Sequence, residues 1–210
     1  LRLPKPLPRH LKDDQVTRLF AAITDGRDRA MFMLMLRCGL RVEEVAQLTV
    51  DAVEYGRRQI FVSNGKGAKD RVVYVSEDAR SALLAYLAKR SSKAKGLFLG
   101  QKGPMRGKPL SVRGIQKRIE YYARKSRLDV SCHRLRHTMA TQLLNANADL
   151  VTIQDLLGHG QITTTQRYCR VANLKVQRDY YKAMEVVLQR TQTQQEDDDD
   201  GGEDLYAENE

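Results

Sequence analysis

The feature that most constrains the fold is a helical segment that is apolar on nearly all of its faces. It covers residues 27–38, and its centre, residues 30–36, reads Ala-Met-Phe-Met-Leu-Met-Leu. A helix that is hydrophobic all round has to be buried, so the rest of the chain is expected to pack around it. Gly39 can take the left-handed conformation that ends a helix. Arg41 then lies at a sharp corner that opens a short helix over residues 42–48.

The remaining patterns predict a mainly α fold with a small antiparallel β-sheet, an α+β class. Short, partly alternating runs at residues 59–62 and 71–75 flank a Gly-Lys-Gly turn and predict a β-hairpin. The other segments have helical periodicity, and Ser76, Ser111 and Ser131 can cap the helices that follow them. The remaining predicted helices cover residues 12–23, 76–89, 111–126, 132–145, a segment from Asp149 or Thr152 to Gly158, 162–171 and 174–190.

The charge of the chain is strongly uneven. The formal net charge is +10, yet residues 196–210 contain nine acidic and no basic side chains, which leaves residues 1–195 at +19. A body this basic attracts polyanions and speeds their encounter with the protein, so nucleic acid is a candidate partner. The acidic end has the composition of a disordered tail.

Cysteine usage and hydropathy favour a cytosolic protein. Cys38, Cys132 and Cys169 are odd in number and lack the spacing of metal ligands, which favours reduced thiols over a disulfide framework. No apolar run approaches the roughly 20 residues that a membrane span needs. No signal peptide is recognisable at the start of the sequence. We therefore expect neither a membrane anchor nor a metal site.

His133, Arg136 and His137 form a candidate phosphate site. Their spacing of i, i+3 and i+4 puts them on one face of the predicted helix 132–145. They also occupy its first turn, where the positive end of the helix dipole favours a bound phosphate. By itself, the motif is weak and more often marks a structural histidine beside a surface arginine.

Three further segments contain residues suited to phosphodiester chemistry. Arg41 follows a Gly-Leu corner, and Glu44 lies on the same helical face, where it can orient the arginine through an ion pair. Lys66 lies between two glycines at the predicted hairpin tip, from which its ammonium group can reach into a groove. Tyr168 follows His159 by nine residues. It is a candidate nucleophile, although a tyrosine considered alone is most often a core residue.

Taken in order, these motifs resemble the tyrosine recombinase (phage integrase) family. The matching segments are Gly39-Leu40-Arg41-x-x-Glu44, Gly65-Lys66-Gly67-x-Lys69-x-Arg71, His133-x-Leu135-Arg136-His137, Leu157-Gly158-His159 and Tyr168. The resemblance spans residues 3–190 and implies the fold of the DNA breaking-rejoining enzymes. It also implies a site-specific recombinase or integrase that cleaves and rejoins DNA through a 3′-phosphotyrosyl intermediate, without a metal ion, ATP or another cofactor.

The resemblance implies roles for the residues that act on the scissile phosphate. Arg41 and Arg136 would hold its non-bridging oxygens and neutralise charge in the transition state. Tyr168 would attack the phosphorus and leave a free 5′-hydroxyl. Lys66 would protonate that leaving oxygen, and Lys69 is the alternative for this role.

The resemblance also implies supporting residues. His133 would accept or return the tyrosine proton, and His159 would hydrogen-bond the phosphate. Glu44 and His137 would support these groups without direct chemistry. Further contacts with DNA are expected from Lys69, Arg71, Arg113, Lys117, Arg134 and Arg167.

The organisation implied for the chain has three parts. Residues 1–10 would be an extended entry segment, residues 11–190 the catalytic domain and residues 191–210 a disordered acidic tail. The partners would be double-stranded recombination sites and further copies of the chain, assembled on DNA as dimers or tetramers. The helix over residues 174–190 is the candidate for that self-contact. The place of action would be the cytoplasm, in association with the nucleoid.

Two other functions use related features. A topoisomerase IB-like enzyme would nick and close DNA with similar residues, but a monomer would not need an apolar helix after Tyr168 to contact a neighbouring subunit. A non-catalytic DNA-binding module of the same fold would not require Tyr168. The apolar helix after Tyr168 favours the recombinase over the topoisomerase. The complete set of candidate catalytic residues, Tyr168 included, favours it over the non-catalytic module.

Overall fold

The computed structural model describes residues 10–63, 70–158 and 174–200, and the predicted helix 162–171 lies outside these ranges. The described α-helices are α1 (Asp13–Ala22), α2 (Gly26–Cys38), α3 (Val42–Gln47), α4 (Glu77–Ala88), α5 (Val112–Lys125), α6 (Cys132–Asn145), α7 (Leu150–Leu157) and α8 (Leu174–Asp200). The strands are β1 (Val53–Glu54), β2 (Gln59–Val62) and β3 (Arg71–Tyr74), with short 3-10 turns at Val50–Ala52 and Gly103–Met105. The predicted α+β class is therefore confirmed.

The three strands form one antiparallel sheet in the order β1-β2-β3. Ile60 pairs with Val53 on one side and with Val73 on the other, and all three side chains are buried. The predicted pairing of the second and third strands is confirmed. The sequence does not predict β1 as a separate strand, because its two residues are too few to establish an alternating pattern.

Helix α2 lies at the centre of the main core, as its apolar sequence predicts. Every residue from Ala30 to Leu36 is buried, and the helix packs chiefly against α4 and α6. Helix α1 contributes Val16, Leu19 and Phe20 to the same cluster. This arrangement fixes the end of α2, from which the chain turns into α3.

A second hydrophobic cluster joins α6, α7 and α8. The apolar face predicted for the last helix is buried there, including Val176, Tyr180, Met184 and Val187. Because α8 packs against α1, α6 and α7 of its own chain, this face is not free for a neighbouring subunit in the structure. The predicted self-contact through residues 174–190 would require α8 to move.

Helix α8 is longer than the sequence predicts. The predicted end is Arg190, whereas the helix continues to Asp200. No Gly or Pro between residues 174 and 200 stops the helix, although the Thr and Asp residues of this extension have low helix propensity. The disorder predicted from residue 191 therefore does not describe residues 191–200. The division of the chain into entry segment, domain and tail otherwise stays a prediction.

Caps fix the starts of three helices near the site. Ser111, Ser131 and Asp149 each accept a hydrogen bond from a backbone N–H in the first turn of α5, α6 and α7. Ser76 makes no such bond, and its hydroxyl donates to the carboxylate of Asp78. The Ser131 cap sets the start of α6, whose first two turns contain the predicted histidines and arginine.

Candidate active site

The corner between α2 and α3 places Arg41. Gly39 ends α2 in the left-handed region, with φ of 66° and ψ of 29°. A Cβ at this position would lie 3.1 Å from Leu157 and 3.2 Å from the sulfur of Met139. Glycine therefore allows α2 to end in close contact with α6 and α7. Arg41 follows at the N-cap of α3, with 38% of its side chain exposed.

Arg136 reaches the same corner from α6. Its side chain is almost fully buried, and its two Nη groups donate to the carbonyls of Gly39 and Leu157. Nη2 of Arg41 donates to the carbonyl of Gly158 at 3.3 Å. The two guanidinium groups predicted to hold a phosphate therefore meet at consecutive carbonyls of one helix end.

A third arginine completes this arrangement. Nε of Arg71, the first residue of β3, donates to the carbonyl of Leu156 at 2.9 Å. Three arginines from different elements thus bind the carbonyls of residues 156, 157 and 158. The last carbonyls of a helix lack intrahelical partners and form the negative end of its dipole, so cations are stabilised there.

Glu44 is the carboxylate between these arginines, and its side chain is 5% exposed. Its Oε1 accepts from Nη1 of Arg41 at 3.0 Å and from Nη1 of Arg71 at 2.6 Å. Its Oε2 accepts from the backbone N–H of Arg41 at 2.7 Å and from Nη2 of Arg71 at 2.9 Å. Burial alone would raise the pKa of Glu44, but the bonds and charges of Arg71 and Arg41 lower it overall. Glu44 is therefore ionised at neutral pH and orients both arginines.

We call Arg41, Glu44, Arg71 and Arg136 the site cluster, and it has an excess of positive charge. The pKa of Arg136 is lowered to about 10, first by burial and then by repulsion from Arg41 and Arg71. The negative charge of Glu44 offsets only part of this effect. Arg136 stays protonated at neutral pH in spite of this. A phosphate bound beside it would relieve both the repulsion and the cost of burial.

The two histidines of α6 lie one turn apart and have different environments. Their ring centroids are 4.9 Å apart, and the rings are nearly perpendicular. Burial, followed by the nearby His133 and Arg136, lowers the pKa of His137. His137 is therefore neutral at neutral pH. His133 is the more exposed of the two and lines the cleft described below.

An open cleft of about 680 Å³ borders the site cluster. The starts of α3 and α6 form one part of its wall, with Arg41, His133 and Arg136. Helix α5 forms another part and contributes Arg113 and Gln116. The cleft is thus lined by both arginines that are predicted to hold the scissile phosphate and by His133.

Several predicted site residues lie outside the described part of the chain, so their roles stay predictions. They are Lys66, Lys69, His159, Arg167 and Tyr168. Two of these parts of the chain are close in sequence to residues of the site. Residue 69 lies two positions before Arg71, and His159 directly follows Gly158, whose carbonyl binds Arg41.

Arg71, which the sequence predicts as a DNA contact, makes bonds within the protein in the structure. Its side chain is 8% exposed, and its guanidinium group donates to Glu44 and to the carbonyl of Leu156. These donors are therefore committed within the protein. A sequence cannot distinguish this buried role from a phosphate contact, since a basic residue beside Lys69 is compatible with either.

The other described candidates for DNA contacts lie closer to solvent. Arg113 and Lys117 are exposed on α5, and Arg113 pairs only weakly with Glu120, at 3.6 Å. Arg134 is more enclosed, with 17% of its side chain exposed and a 2.8 Å bond to the carboxylate of Asp129. Arg113 and Lys117 therefore stay candidates, whereas Arg134 would have to break its local bonds.

The described residues contain no group of three or more His, Cys, Asp or Glu side chains that could hold a metal ion. No helix within them is long and apolar enough to cross a membrane. Cys38 and Cys132 are unpaired thiols in the interior, and burial raises both of their pKa values, that of Cys132 to about 12. Neither thiol is therefore suited to act as a nucleophile.

The sequence does not predict that the backbone at the end of α7 forms part of the site. The carbonyls of residues 156, 157 and 158 hold the three arginines in place. Gly158 ends α7 in the left-handed region, and a Cβ there would lie 3.1 Å from Cδ of Arg71. This glycine is the signal that the sequence offers, but it does not identify which side chains bind the helix end.

Known proteins resemble this chain in sequence and in fold. Tyrosine recombinase XerA of Thermococcus kodakarensis is 38% identical over 172 residues, which are 81% of this chain and 61% of the relative. Tyrosine recombinase XerD of Pseudomonas putida is 38% identical over 188 residues, covering 84% and 62%. The chain thus spans about three fifths of the length of these curated relatives.

Two solved structures have the same fold. A crystal structure of XerA recombinase superposes with a TM-score of 0.68 at 30% identity, covering 84% of this chain and 65% of that one. The integrase of mycobacterium phage Brujita gives a TM-score of 0.70 at 26% identity, covering 87% and 60%. The fold is that of the catalytic domains of tyrosine recombinases. The chain belongs to the phage integrase family, whose model matches residues 9–175.

Proposed function

We propose that this chain is the catalytic part of a site-specific DNA recombinase that cleaves and rejoins strands through a 3′-phosphotyrosyl bond to Tyr168. The observation that carries the proposal is the convergence of Arg41 and Arg136. Their guanidinium groups donate to the adjacent carbonyls of Gly158 and Leu157, beside an open cleft. Family membership supports the same conclusion, and the relatives named above are tyrosine recombinases.

The arginines would act on the phosphate in its transition state. Attack on phosphorus gives a pentacoordinate arrangement in which negative charge accumulates on the non-bridging oxygens. Guanidinium groups that are already fixed by carbonyls and by Glu44 need no reorganisation to stabilise that charge. Because the site cluster has an excess of positive charge, it would stabilise the negative charge of the transition state.

The covalent step exchanges one phosphodiester for another. The hydroxyl oxygen of Tyr168 forms a bond to phosphorus, and the bond to the 5′ oxygen breaks. His133 would take the tyrosine proton, Lys66 or Lys69 would protonate the 5′ oxygen, and the reverse transfers accompany rejoining. The phosphotyrosyl bond conserves the energy of the original linkage, so nucleotide hydrolysis and a metal ion are not needed. His159 would hydrogen-bond the phosphate and His137 would support its neighbours.

We also propose that the protein acts on double-stranded sites as an assembly of several copies, in the cytoplasm at the nucleoid. Structures of a relative are complexes with DNA, as in the XerH recombinase bound to difH substrate. Because the apolar face of α8 packs on its own chain, assembly through this helix would require an exchange between subunits. Arg113 and Lys117, exposed on α5, would contact the DNA backbone or bases.

Covalent capture tests the function and selects the DNA site in the same experiment. A library of duplexes with a randomised central sequence, nicked near each possible cleavage point, would be incubated with the protein and then denatured. We expect a protein–DNA adduct with enriched sequences, formed by the parent and absent for Tyr168→Phe. An adduct of equal yield with Tyr168→Phe would show that the nucleophile is another residue.

A second arm separates recombination from nicking and closing. The selected sequence would be placed once or twice on a supercoiled plasmid. Relaxation by a single site without exchange between two sites would favour the topoisomerase IB-like alternative. Sequence-selective binding with no adduct at any site would favour the non-catalytic module.

A further inference from the structure

We propose that Arg71 is a positioning residue, which ties Glu44 to the C-terminal end of α7 and so holds Arg41 in place to receive a phosphate. The proposal rests on the function proposed above and assigns a part of its machinery. Arg71 itself would not contact the DNA.

The bonds of Arg71 join three elements. From β3, its Nε donates to the carbonyl of Leu156 at 2.9 Å, and its two Nη groups donate to the two oxygens of Glu44 at 2.6 and 2.9 Å. Glu44 belongs to α3 and Leu156 to α7. A planar fork with donors on Nε and both Nη atoms is needed to make all three bonds at once, and the ammonium group of a lysine cannot reproduce it.

The space around Arg71 is fitted to this contact. The side chains of Arg71 and Glu44 are 8% and 5% exposed. At Gly158, a Cβ would lie 3.1 Å from Cδ and 3.4 Å from Nε of Arg71, so the absence of a side chain leaves room for the arginine. Because an ion pair this enclosed is shielded from solvent, its loss is not compensated by water as it would be at the surface.

Arg71 also controls how much of the Glu44 charge acts on Arg41. The Oε1 atom of Glu44 is shared between the two arginines, at 2.6 Å from Arg71 and 3.0 Å from Arg41. Without Arg71, the carboxylate would be left to Arg41 alone, and a tighter pair would draw that guanidinium group away from its position. The same loss would free the end of α7, whose next carbonyls bind Arg136 and Arg41.

The test compares Arg71→Lys with a matched control, Arg27→Lys. Arg27 is also a buried arginine bound to one carboxylate and one carbonyl, those of Asp28 at 2.6 Å and Leu99 at 2.8 Å. It lies at the opposite end of α2 from Gly39. Both variants would be measured for cleavage of a captured, nicked duplex in single turnover at saturating protein, for DNA affinity and for the salt dependence of that affinity.

For Arg71→Lys we expect single-turnover cleavage to fall roughly 10- to 100-fold at unchanged affinity and salt slope, the scale expected for a small misplacement of a catalytic group. The double change Glu44→Gln with Arg71→Lys should cost less than the sum of the two single changes, because the two residues act as one unit. Arg27→Lys should lower the free energy of unfolding and leave cleavage by the folded protein unchanged. Amide hydrogen exchange at residues 156–158 should speed up in Arg71→Lys only.

Other outcomes would overturn the proposal. A loss of affinity with a salt slope reduced by about one would identify Arg71 as a phosphate contact instead. Cleavage as fast as that of Arg27→Lys would leave Arg71 a purely structural role. If the parent forms no Tyr168 adduct, the proposed function fails, and the exchange measurement still decides whether Arg71 holds the end of α7.

Discussion

Helix α2 has a buried arginine cluster at each end, and the two differ in how their charges are balanced. At the N-terminal end, the carboxylate of Asp28 is fully buried and accepts bonds from Arg27, Arg118 and the hydroxyl of Tyr122. Burial alone would lower the pKa of Arg118, but the charge of Asp28 raises it overall. We call these four residues the structural cluster. Its carboxylate stabilises the cations around it.

At the C-terminal end, beyond Gly39, the site cluster has three arginines for one carboxylate. Among the described residues, Arg136 is bonded to two carbonyls and to no carboxylate. Its pKa is lowered to about 10, first by burial and then by the repulsion of Arg41 and Arg71. The pKa values of Arg118 and Arg136 thus move in opposite directions. Charge is therefore balanced within the structural cluster, whereas the site cluster keeps an excess of positive charge that a bound anion would offset.

The largest expected effect concerns catalysis at the site cluster. Arg136→Ala should reduce strand cleavage by about 100- to 1,000-fold, the scale observed when one preorganised donor is removed from a transition state. Nonspecific DNA affinity should change much less, because many other basic residues share that task. Single-turnover cleavage and binding titrations at fixed salt would measure the two. The control Arg118→Ala should retain cleavage, and equal losses of binding and cleavage in Arg136→Ala would contradict this division.

The next largest effect concerns stability at the structural cluster. Asp28→Asn should lower the free energy of unfolding by about 3 kcal/mol, because it leaves the buried Arg27 without its counter-charge. Urea denaturation of the parent and the variant would measure the difference. Cleavage by the folded fraction should be preserved. A variant as stable as the parent would mean that the two clusters do not differ in the way described.

A smaller effect distinguishes the clusters by their response to anions. Inorganic phosphate should stabilise the protein by about 1 kcal/mol when its concentration is about five times Kd, since it binds the folded state only. The corresponding rise in Tm is about 2–4 °C for a chain of this size. Sodium chloride at the same ionic strength provides the control for screening. The rise should be lost in Arg136→Ala and kept in Arg118→Ala, and equal stabilisation of both variants would place the anion elsewhere.

The smallest expected effect is a dependence of stability on pH from His137. Its pKa in the folded protein lies below the ordinary value of 6.5, so the unfolded chain binds the proton more readily. Stability should therefore decrease as the pH falls through 6.5 towards the lower pKa of the folded state. Thermal unfolding between pH 7.5 and 5 would measure this change, and His137→Gln should flatten part of it. An unchanged profile in the variant would assign the dependence to other groups.

The sequence predicts the elements that carry a long local pattern. The all-round apolar stretch of α2, the left-handed glycine at its end and the Ser131 cap are each fixed by residues close in the chain. These features place Arg41 at the start of α3 and Arg136 in the second turn of α6. The two-residue β1 carries too little pattern to be recognised, and the end of α8 depends on a polar run that gives no stop signal.

The parts of the site that could not be predicted are long-range contacts. Arg71 and Glu44 are 27 positions apart, and Arg41 and Gly158 are 117 apart. No local pattern indicates that these groups meet. Every residue has a backbone carbonyl, so the residue type does not show which carbonyl accepts a hydrogen bond. The basic surroundings of Arg71 therefore predict a DNA contact, whereas tertiary packing buries it against Glu44.

The two left-handed glycines have a consequence for mutational surveys. Gly39 and Gly158 each have positive φ, and each has a neighbour 3.1 Å from where a Cβ would lie. In a saturation library selected for strand exchange, both positions should therefore reject nearly every replacement. The two glycines would then look as intolerant of substitution as the catalytic residues, although what they provide is space for a neighbouring side chain.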